Sequence, residues 1–339
     1  MKKVAVVILN YNGKAFLEKF LPTVIKNNAE FSEIIVADNA STDDSVTFME
    51  KQFPTIRLIQ NNKNGGFSKG YNDALKLIEA EYYVLLNSDI EVTSGWIEPI
   101  IALMDTDQTI AACQPKILSF HNKTHFEYAG AGGGFIDRFG YPFCRGRIFQ
   151  SIEVNEGQFD DTTEVFWASG ACLFVRADLY HRFGGLDNDF FAHMEEIDFC
   201  WRMKNNGYKI MYCGKSTVYH IGGGTLPKIS SRKTYLNFRN NLSLLYKNLP
   251  DGSLYYVIFM RLFLDGIASF KFLAQGGFGD FLAVLRAHSH FYRKIPSLKA
   301  KRKLLNPKEV SKIYLKNIAL DHYIGGVRYF KDLEEDNFS

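Results

Sequence analysis

Cysteine is scarce in this chain. Five occur in 339 residues (Cys113, Cys144, Cys172, Cys200 and Cys213), an odd number, widely spaced and never as Cys-x-x-Cys. That spacing argues against a structural zinc site and favours a reducing compartment, with three of the thiols in apolar or aromatic surroundings. Long apolar runs are missing too. After Lys2-Lys3 the chain is apolar only from Val4 to Leu9 before Asn10-Tyr11-Asn12, so no secretory leader is expected, and nothing reaches the uninterrupted length of a transmembrane helix. The formal net charge is only +3, which removes the global electrostatic case for nucleic acid as a partner. Two nucleotide-binding signatures are also absent. The stretch Asn10-Tyr-Asn-Gly-Lys-Ala-Phe16 has one glycine where a dinucleotide fold needs Gly-x-Gly-x-x-Gly, and no Gly-x-x-x-x-Gly-Lys-Ser/Thr occurs. A nicotinamide or flavin cofactor is therefore not expected. Repeats and low-complexity tracts are lacking as well.

What is present is apolar and aromatic: 46% hydrophobic residues, with 29 Phe and 18 Tyr. The length suits one large α/β domain, or a domain of about 230 residues with a helical appendage. Val4 to Leu9, Ile34 to Ala37, Ile56 to Ile59 and Tyr82 to Leu86 read as strands; the first is continuously apolar, as in a parallel sheet buried on both faces. Phe16, Leu17, Phe20, Leu21, Val24 and Ile25 recur at helical spacing, Ser41 to Asp44 suits a helix N-cap, and a third helix is expected from about Phe67 to Ile78. This alternation implies right-handed crossovers, with ligands bound beyond the carboxyl ends of the strands. Polar clusters stand at four such ends: Asn10-Tyr11-Asn12, Asp38-Asn39, Asn61 to Gly66 and Asn87-Ser88-Asp89. The glycine-rich stretch from His121 to Thr163 reads as long loops or an irregular sheet edge. Tyr208 to Tyr212 and Thr217 to His220 read as two short strands, and the chain beyond Arg232 as helical.

Asp89 closes the run Tyr82-Tyr-Val-Leu-Leu-Asn-Ser-Asp89. A carboxylate at the end of a buried strand can hold a divalent cation against a diphosphate, since Mg²⁺ and Mn²⁺ prefer oxygen ligands; the plainer alternative is a strand end capping the next helix. Asp38 can accept hydrogen bonds from a nucleotide, or simply open an Asx-turn. Asn64-Gly65-Gly66-Phe67 places flexible glycines before a helix whose free N–H groups can bind phosphate or polar base edges. In Phe190-Phe-Ala-His-Met-Glu-Glu-Ile-Asp-Phe-Cys-Trp-Arg202, the acids Glu195, Glu196 and Asp198 stand among aromatic residues, where a carboxyl pKa rises towards that of a general base. Arg202 is placed to ion-pair with one of them. His220, before Gly222-Gly-Gly224, is a candidate metal ligand.

In this order the motifs resemble family 2 glycosyltransferases, in particular the bacterial rhamnosyltransferase-like branch. The carriers are Val-Val-Ile-Leu-Asn-Tyr-Asn (6–12), Val-Ala-Asp-Asn-Ala-Ser-Thr-Asp-Asp-Ser (36–45), Asn-Gly-Gly-Phe (64–67), Leu-Leu-Asn-Ser-Asp (85–89), Trp-Ala-Ser-Gly-Ala (167–171) and the 190–202 segment. The resemblance implies an α/β GT-A fold, a mixed Rossmann-like sheet flanked by helices with a C-terminal helical extension. It also implies a nucleotide-diphosphate-sugar donor, a divalent cation (Mn²⁺ or Mg²⁺) and inversion at the anomeric carbon. By position it assigns Asn10, Tyr11, Asn12, Asp38, Asn39, Asn64, Gly65, Gly66, Phe67, Asn87 and Ser88 to the donor, Asp89 and His220 to the metal, and Trp167, Gly170, Ala171 and Arg202 to the acceptor. The family usually has Glu-Asp where this chain has Glu195-Glu196, which leaves open whether Glu196, Glu195 or Asp198 is the base.

The resemblance also implies a catalytic domain over 1–240, with a nucleotide-binding half to about 114 and an acceptor half from about 115, then a helical, partly amphipathic and basic region over 241–339. From Arg286 to Lys316 ten Lys or Arg face one acid, Glu309. Arg261, Asp265 and Lys271 interrupt the apolar Leu254 to Leu285 stretch and argue against a bilayer span. The expectation is a cytoplasmic enzyme, peripheral on the inner membrane through 254–316, acting on a glycan or lipid-linked acceptor; a catalytically silent glycan-binding scaffold of an assembly complex is the alternative. The oligomeric state has no signature in the sequence.

Overall fold

A computed structural model describes residues 2–222 and 230–339. Gly223 and Gly224 of the triple-glycine segment lie outside the described residues. The first half alternates β1 (Val4–Asn10), α1 (Lys14–Lys26), β2 (Ser32–Asp38), α2 (Ser45–Gln52), β3 (Arg57–Gln60), α3 (Gly66–Leu75), β4 (Tyr82–Asn87), β5 (Ile90–Val92), α4 (Glu98–Thr106) and β6 (Ile110–Ser119). Four short strands follow: β7 (Gly134–Asp137), β8 (Pro142–Cys144), β9 (Arg147–Ile148) and β10 (Ser151–Ile152). Then come β11 (Thr162–Val165), β12 (Cys172–Arg176), α5 (Ala177–Arg182), α6 (Glu195–Asn205) and β13 (Lys209–His220). The C-terminal part holds α7 (Ser231–Asn248), α8 (Asp251–Ala274), α9 (Phe278–Leu305), β14 (Ile313–Tyr314) and α10 (Ile318–Tyr323).

Among the described residues the strands form sheets of nine and five members. The larger runs β11-β13-β6-β12-β4-β1-β2-β3, with β5 pairing β13. β3, β2, β1 and β4 are mutually parallel, whereas β12 is antiparallel to both β4 and β6. Val4, Val6, Ile35, Val36, Val84 and Leu85 are wholly buried, as the apolar runs require of strands covered on both faces.

Two local expectations are corrected and a third is made definite. α2 begins at Ser45 rather than near Ser41, and its N-cap Asp44 makes no side-chain cap bond; Ser41 instead turns back to bond Asp38, the Asx-turn alternative. The supposed pair of strands after Tyr208 is one strand, β13, with a register shift between Cys213 and Thr217. The stretch read as long loops or an irregular sheet edge holds both: loops join four short strands that form a second sheet, β10-β9-β8-β7-β14, whose last strand comes from the C-terminal region. Its strands are two to four residues long, too short to show alternation. Phe135 and Phe143 in this sheet pack against Phe330 and Phe338, so the end of the chain completes that core.

α7 packs along α9, and α8 lies against both. Among the described residues no helix is long and apolar enough to cross a membrane.

Candidate active site

The ends of β1 and β2 are tied together by short polar side chains. Asn10, fully buried, donates through Nδ2 to Asp38 Oδ1 at 3.1 Å and to Ser41 Oγ at 3.2 Å. Ser41 in turn donates from its N–H to Asp38 Oδ2 at 2.8 Å. Asn39 donates to Asn64 Oδ1 and to the Gly66 carbonyl, both at 3.1 Å, fastening β2 to the start of α3. Asn64 then accepts from the Gly66 N–H at 2.9 Å. Gly66 takes φ +82°, and a Cβ there would meet the Phe191 carbonyl at 2.5 Å, so only glycine fits. Tyr11 is 39% exposed at the mouth of this network, and Asn12, with φ +51°, accepts from the Thr42 N–H at 2.7 Å. The end of β4 reaches the same place, because Asn10 Oδ1 and Ser88 Oγ both border the open side of Gly13.

Asp89 and His220 meet through strand register. β5 pairs antiparallel with β13, setting His220 opposite Ile90, and His220 Nε2 stands 3.2 Å from Asp89 Oδ1. Two ligands at about 2.1 Å from one octahedral ion, at a right angle, lie about 3.0 Å apart, so the pair fits adjacent ligand positions of one cation. On its other side His220 Nδ1 lies 3.3 Å from Glu127 Oε2, an ion-pair contact on the side where a carboxylate would orient a metal-bound imidazole. Burial opposes charge on the ring, yet the two carboxylates outweigh it and push His220 up to about 10. No cluster of three or more His, Cys, Asp or Glu side chains closes around a cation position among the described residues. Few protein ligands suit Mg²⁺, which is usually held by one or two carboxylates with waters and substrate phosphates completing the shell.

The acidic trio divides by environment. Asp198 is fully buried and spent: it accepts from Arg202 Nε and Asn248 Nδ2, both at 2.9 Å, and pairs with Lys247 Nζ at 2.8 Å. Burial would raise its carboxyl, but Lys247 and Arg202 hold it below the usual carboxylate range. Arg202 is also spent, on Asp198 and the carbonyls of Phe183 and Gly185, which leaves it no face towards an acceptor. Trp167 likewise turns inward, donating from Nε1 to the Phe135 carbonyl at 2.8 Å. Glu195 and Glu196 differ: each keeps a buried Oε2 without a hydrogen-bond partner. Burial pushes Glu196 up to about 7, and burial together with the neighbouring Glu196 pushes Glu195 well above the usual range.

Gly170 joins these parts. A Cβ placed on it would lie 3.2 Å from the Phe67 ring and 3.7 Å from Glu196 Cβ, and the next residue, Ala171, accepts from the Asn87 N–H at 2.9 Å. The glycine loop, the end of β4 and the first turn of α6 therefore surround one short backbone segment.

Two groups of residues had no sequence signal. Glu127 sits in the segment read as long loops or an irregular sheet edge. Asn240, on α7, donates to the carbonyls of Phe190, Ala192 and His193 at 3.0, 2.9 and 2.8 Å. Those bonds hold a loop in which Phe191, His193 and Met194 all take positive φ (66°, 70° and 73°), conformations that cost side-chain-bearing residues energy and persist where surrounding structure imposes them. Met194 is the N-cap of α6, so the loop sets the direction of the first turn that carries Glu195 and Glu196.

The model of glycosyl transferase family 2 matches residues 5–184. The chain belongs to that family. As a glycosyltransferase it is similar, at 24% identity over 63% of this chain and 75% of the relative, to the N-acetylglucosaminyl-diphospho-decaprenol L-rhamnosyltransferase of Mycobacterium tuberculosis. It is also 25% identical, over 70% of this chain and 73% of the relative, to the low-salt glycan biosynthesis hexosyltransferase Agl10 of Haloferax volcanii. Among solved structures, GalNAc-T7 with UDP, GalNAc and Mn²⁺ superposes with a TM-score of 0.62 at 14% identity, covering 96% of this chain but only 57% of that one. S. aureus TarS 1-349 with UDP-GlcNAc gives 0.56 at 18% identity, covering 90% and 86%. The glycosyltransferase thus has the GT-A fold, with a helical C-terminal region.

Proposed function

We propose that the glycosyltransferase moves a sugar from a nucleotide-diphosphate donor to a glycan or lipid-linked acceptor in one inverting displacement, working in the cytoplasm. The reading rests on the arrangement around Gly170: Glu196 and the Phe67 loop meet at that glycine, and Asn87, two residues before Asp89, bonds its neighbour Ala171. Asn10, Asp38, Asn39 and the 64–67 loop belong to the donor side. Asp89 and His220 would hold a divalent cation, which when bound supplies charge neutralisation for the departing diphosphate. Glu196, raised to about 7 by burial, takes the proton from the acceptor hydroxyl; a single base suffices for inversion. Rhamnose as the sugar and a polyprenyl-diphosphate glycan as the acceptor follow from the printed name of the mycobacterial relative.

A panel of dTDP-, UDP- and GDP-sugars, incubated with Mn²⁺ and with EDTA, tests this reading. Donor turnover that EDTA abolishes, with a product of inverted anomeric configuration by NMR, is the expected result. Undiminished turnover in EDTA removes the cation, and a retained configuration removes the single-base mechanism.

A further inference from the structure

The helix α8 is inside out. Its buried positions are Leu254, Val257, Arg261, Asp265 and Ser269, so much of the face turned to the protein is polar. Arg261 and Asp265 are satisfied there: Arg261 Nε donates to Asp265 Oδ1 at 2.6 Å and its Nη1 to the Phe139 carbonyl at 3.1 Å. The face turned outward carries Tyr255 (79% exposed), Phe259 (68%), Phe263 (59%), Ile267 (55%) and Phe270 (66%). Their spacing of four, four, four and three residues keeps them on one stripe, about 22 Å long at 1.5 Å per residue. A helix facing water has the opposite distribution. The stripe continues onto α10, where Lys271 Nζ lies 4.4 Å from the Tyr323 ring centroid and Ile324 is 80% exposed.

The charge left exposed on α8 between Gly252 and Gly279 has one sign. Between Gly252 and Gly279 the charged residues are Arg261, Asp265 and Lys271, and the first two neutralise each other inside. Lys271 is exposed, as are Arg286 and Arg293 on α9. The acids at either end have partners: Asp251 pairs with Arg302, and Asp280 accepts from Thr234. Not all of the basic stretch belongs to this face, because Lys294 and Lys301 pair with Asp187 and Asp189.

We propose that the outer face of α8 docks on an anionic lipid bilayer, lying in the headgroup region with its aromatic stripe in the acyl boundary. Phe and Tyr on one face with an exposed Lys beside them is the composition of an interfacial helix, and a cation near an anionic surface strengthens its binding. A second copy of the chain fits less well. An isologous contact would set the same apolar stripe against itself and bring the exposed Lys271 towards the other copy's Lys271, like charge near like. The inference does not depend on the donor or acceptor chemistry.

Flotation of the full chain with vesicles tests it, using phosphatidylcholine alone and phosphatidylcholine mixed with phosphatidylglycerol. The protein is expected to float with the mixed vesicles at low salt and less so at high salt. The F259E/F263E variant is expected to lose binding by roughly tenfold or more, since it removes two apolar side chains from the inserted stripe. Its circular dichroism and its turnover of a nucleotide-sugar donor with a water-soluble acceptor should stay unchanged, because both positions are exposed. Equal flotation of the variant and the parent overturns the proposal. So does light scattering that shows a parent dimer, a monomeric variant and no parent on either vesicle.

Discussion

Gly170 faces Glu196 with no side chain between them: a Cβ on the glycine would stand 3.7 Å from Glu196 Cβ and 3.2 Å from the Phe67 ring. A Cβ there is in ordinary contact with Glu196 Cβ and slightly tight against the ring, so the branches of a larger residue press on Phe67 and Glu196, both in the first turn of a helix. Gly170→Val is expected to lower kcat by at least tenfold, with a smaller effect on the thermal midpoint. A variant with parental kcat would show that the approach of Phe67 and Glu196 is incidental.

Glu196→Gln keeps the shape of the side chain and removes its basicity. Turnover should fall by about 10²–10⁴-fold, the usual worth of a general base, while donor affinity by calorimetry is retained. The parent enzyme should gain activity as pH rises through about 7, where Glu196 loses its proton, and the variant should lose that inflection. Stability moves the other way. An ordinary glutamate titrates near 4.5, so between there and 7 the unfolded chain has released a proton that folded Glu196 still holds, and stability falls with rising pH. Glu196→Gln should flatten that slope in urea titrations; a slope equal to the parent's removes burial as the cause.

Glu127→Gln tests the support behind His220. Losing a carboxylate that orients a ligand imidazole typically weakens metal binding 10–100-fold, so a drop of that size in Mn²⁺ affinity is expected by paramagnetic resonance titration. Asp89→Ala should abolish the Mn²⁺-dependent part of donor binding. Parental Mn²⁺ affinity in Glu127→Gln would leave the 3.3 Å contact with His220 without a role at the cation.

Lys247→Met separates scaffold from site. Lys247 is 2% exposed and lies between Asp187 at 2.6 Å and Asp198 at 2.8 Å. Removing it leaves buried carboxylates without that partner, a change worth about 3–5 kcal/mol of stability, to be read from denaturant midpoints. Asn240→Ala should behave differently. It frees the Ala192 and His193 carbonyls of the strained loop, Phe190's keeping Arg239, so faster proteolysis within residues 187–194 and a lower kcat are expected, with a loss of stability of only about 1–3 kcal/mol.

Part of the site was legible because backbone rules confine it. Asn10, Asp38 and Asn87 end apolar runs, and in a parallel sheet such ends gather on one edge. Glu127 was not legible: it follows Phe126 in a stretch whose strands are too short to show a period. Asp198 and Arg202 looked like members of the acidic site, but Lys247 and Asn248 arrive on α7, about 50 residues away in sequence, and draw Asp198 into the interior.

The sequence by itself determined the alternating sheet, the polar strand ends and the set of motifs that names the family, because these depend on local periodicity and on residues close together in the chain. Only the tertiary structure decided which of three neighbouring acids is tied up in the interior and which histidine nitrogen faces Asp89. It also decided that the apolar stripe of α8 looks outward. Those outcomes depend on partners brought from distant segments, and a charged or apolar side chain takes its role from what packs against it.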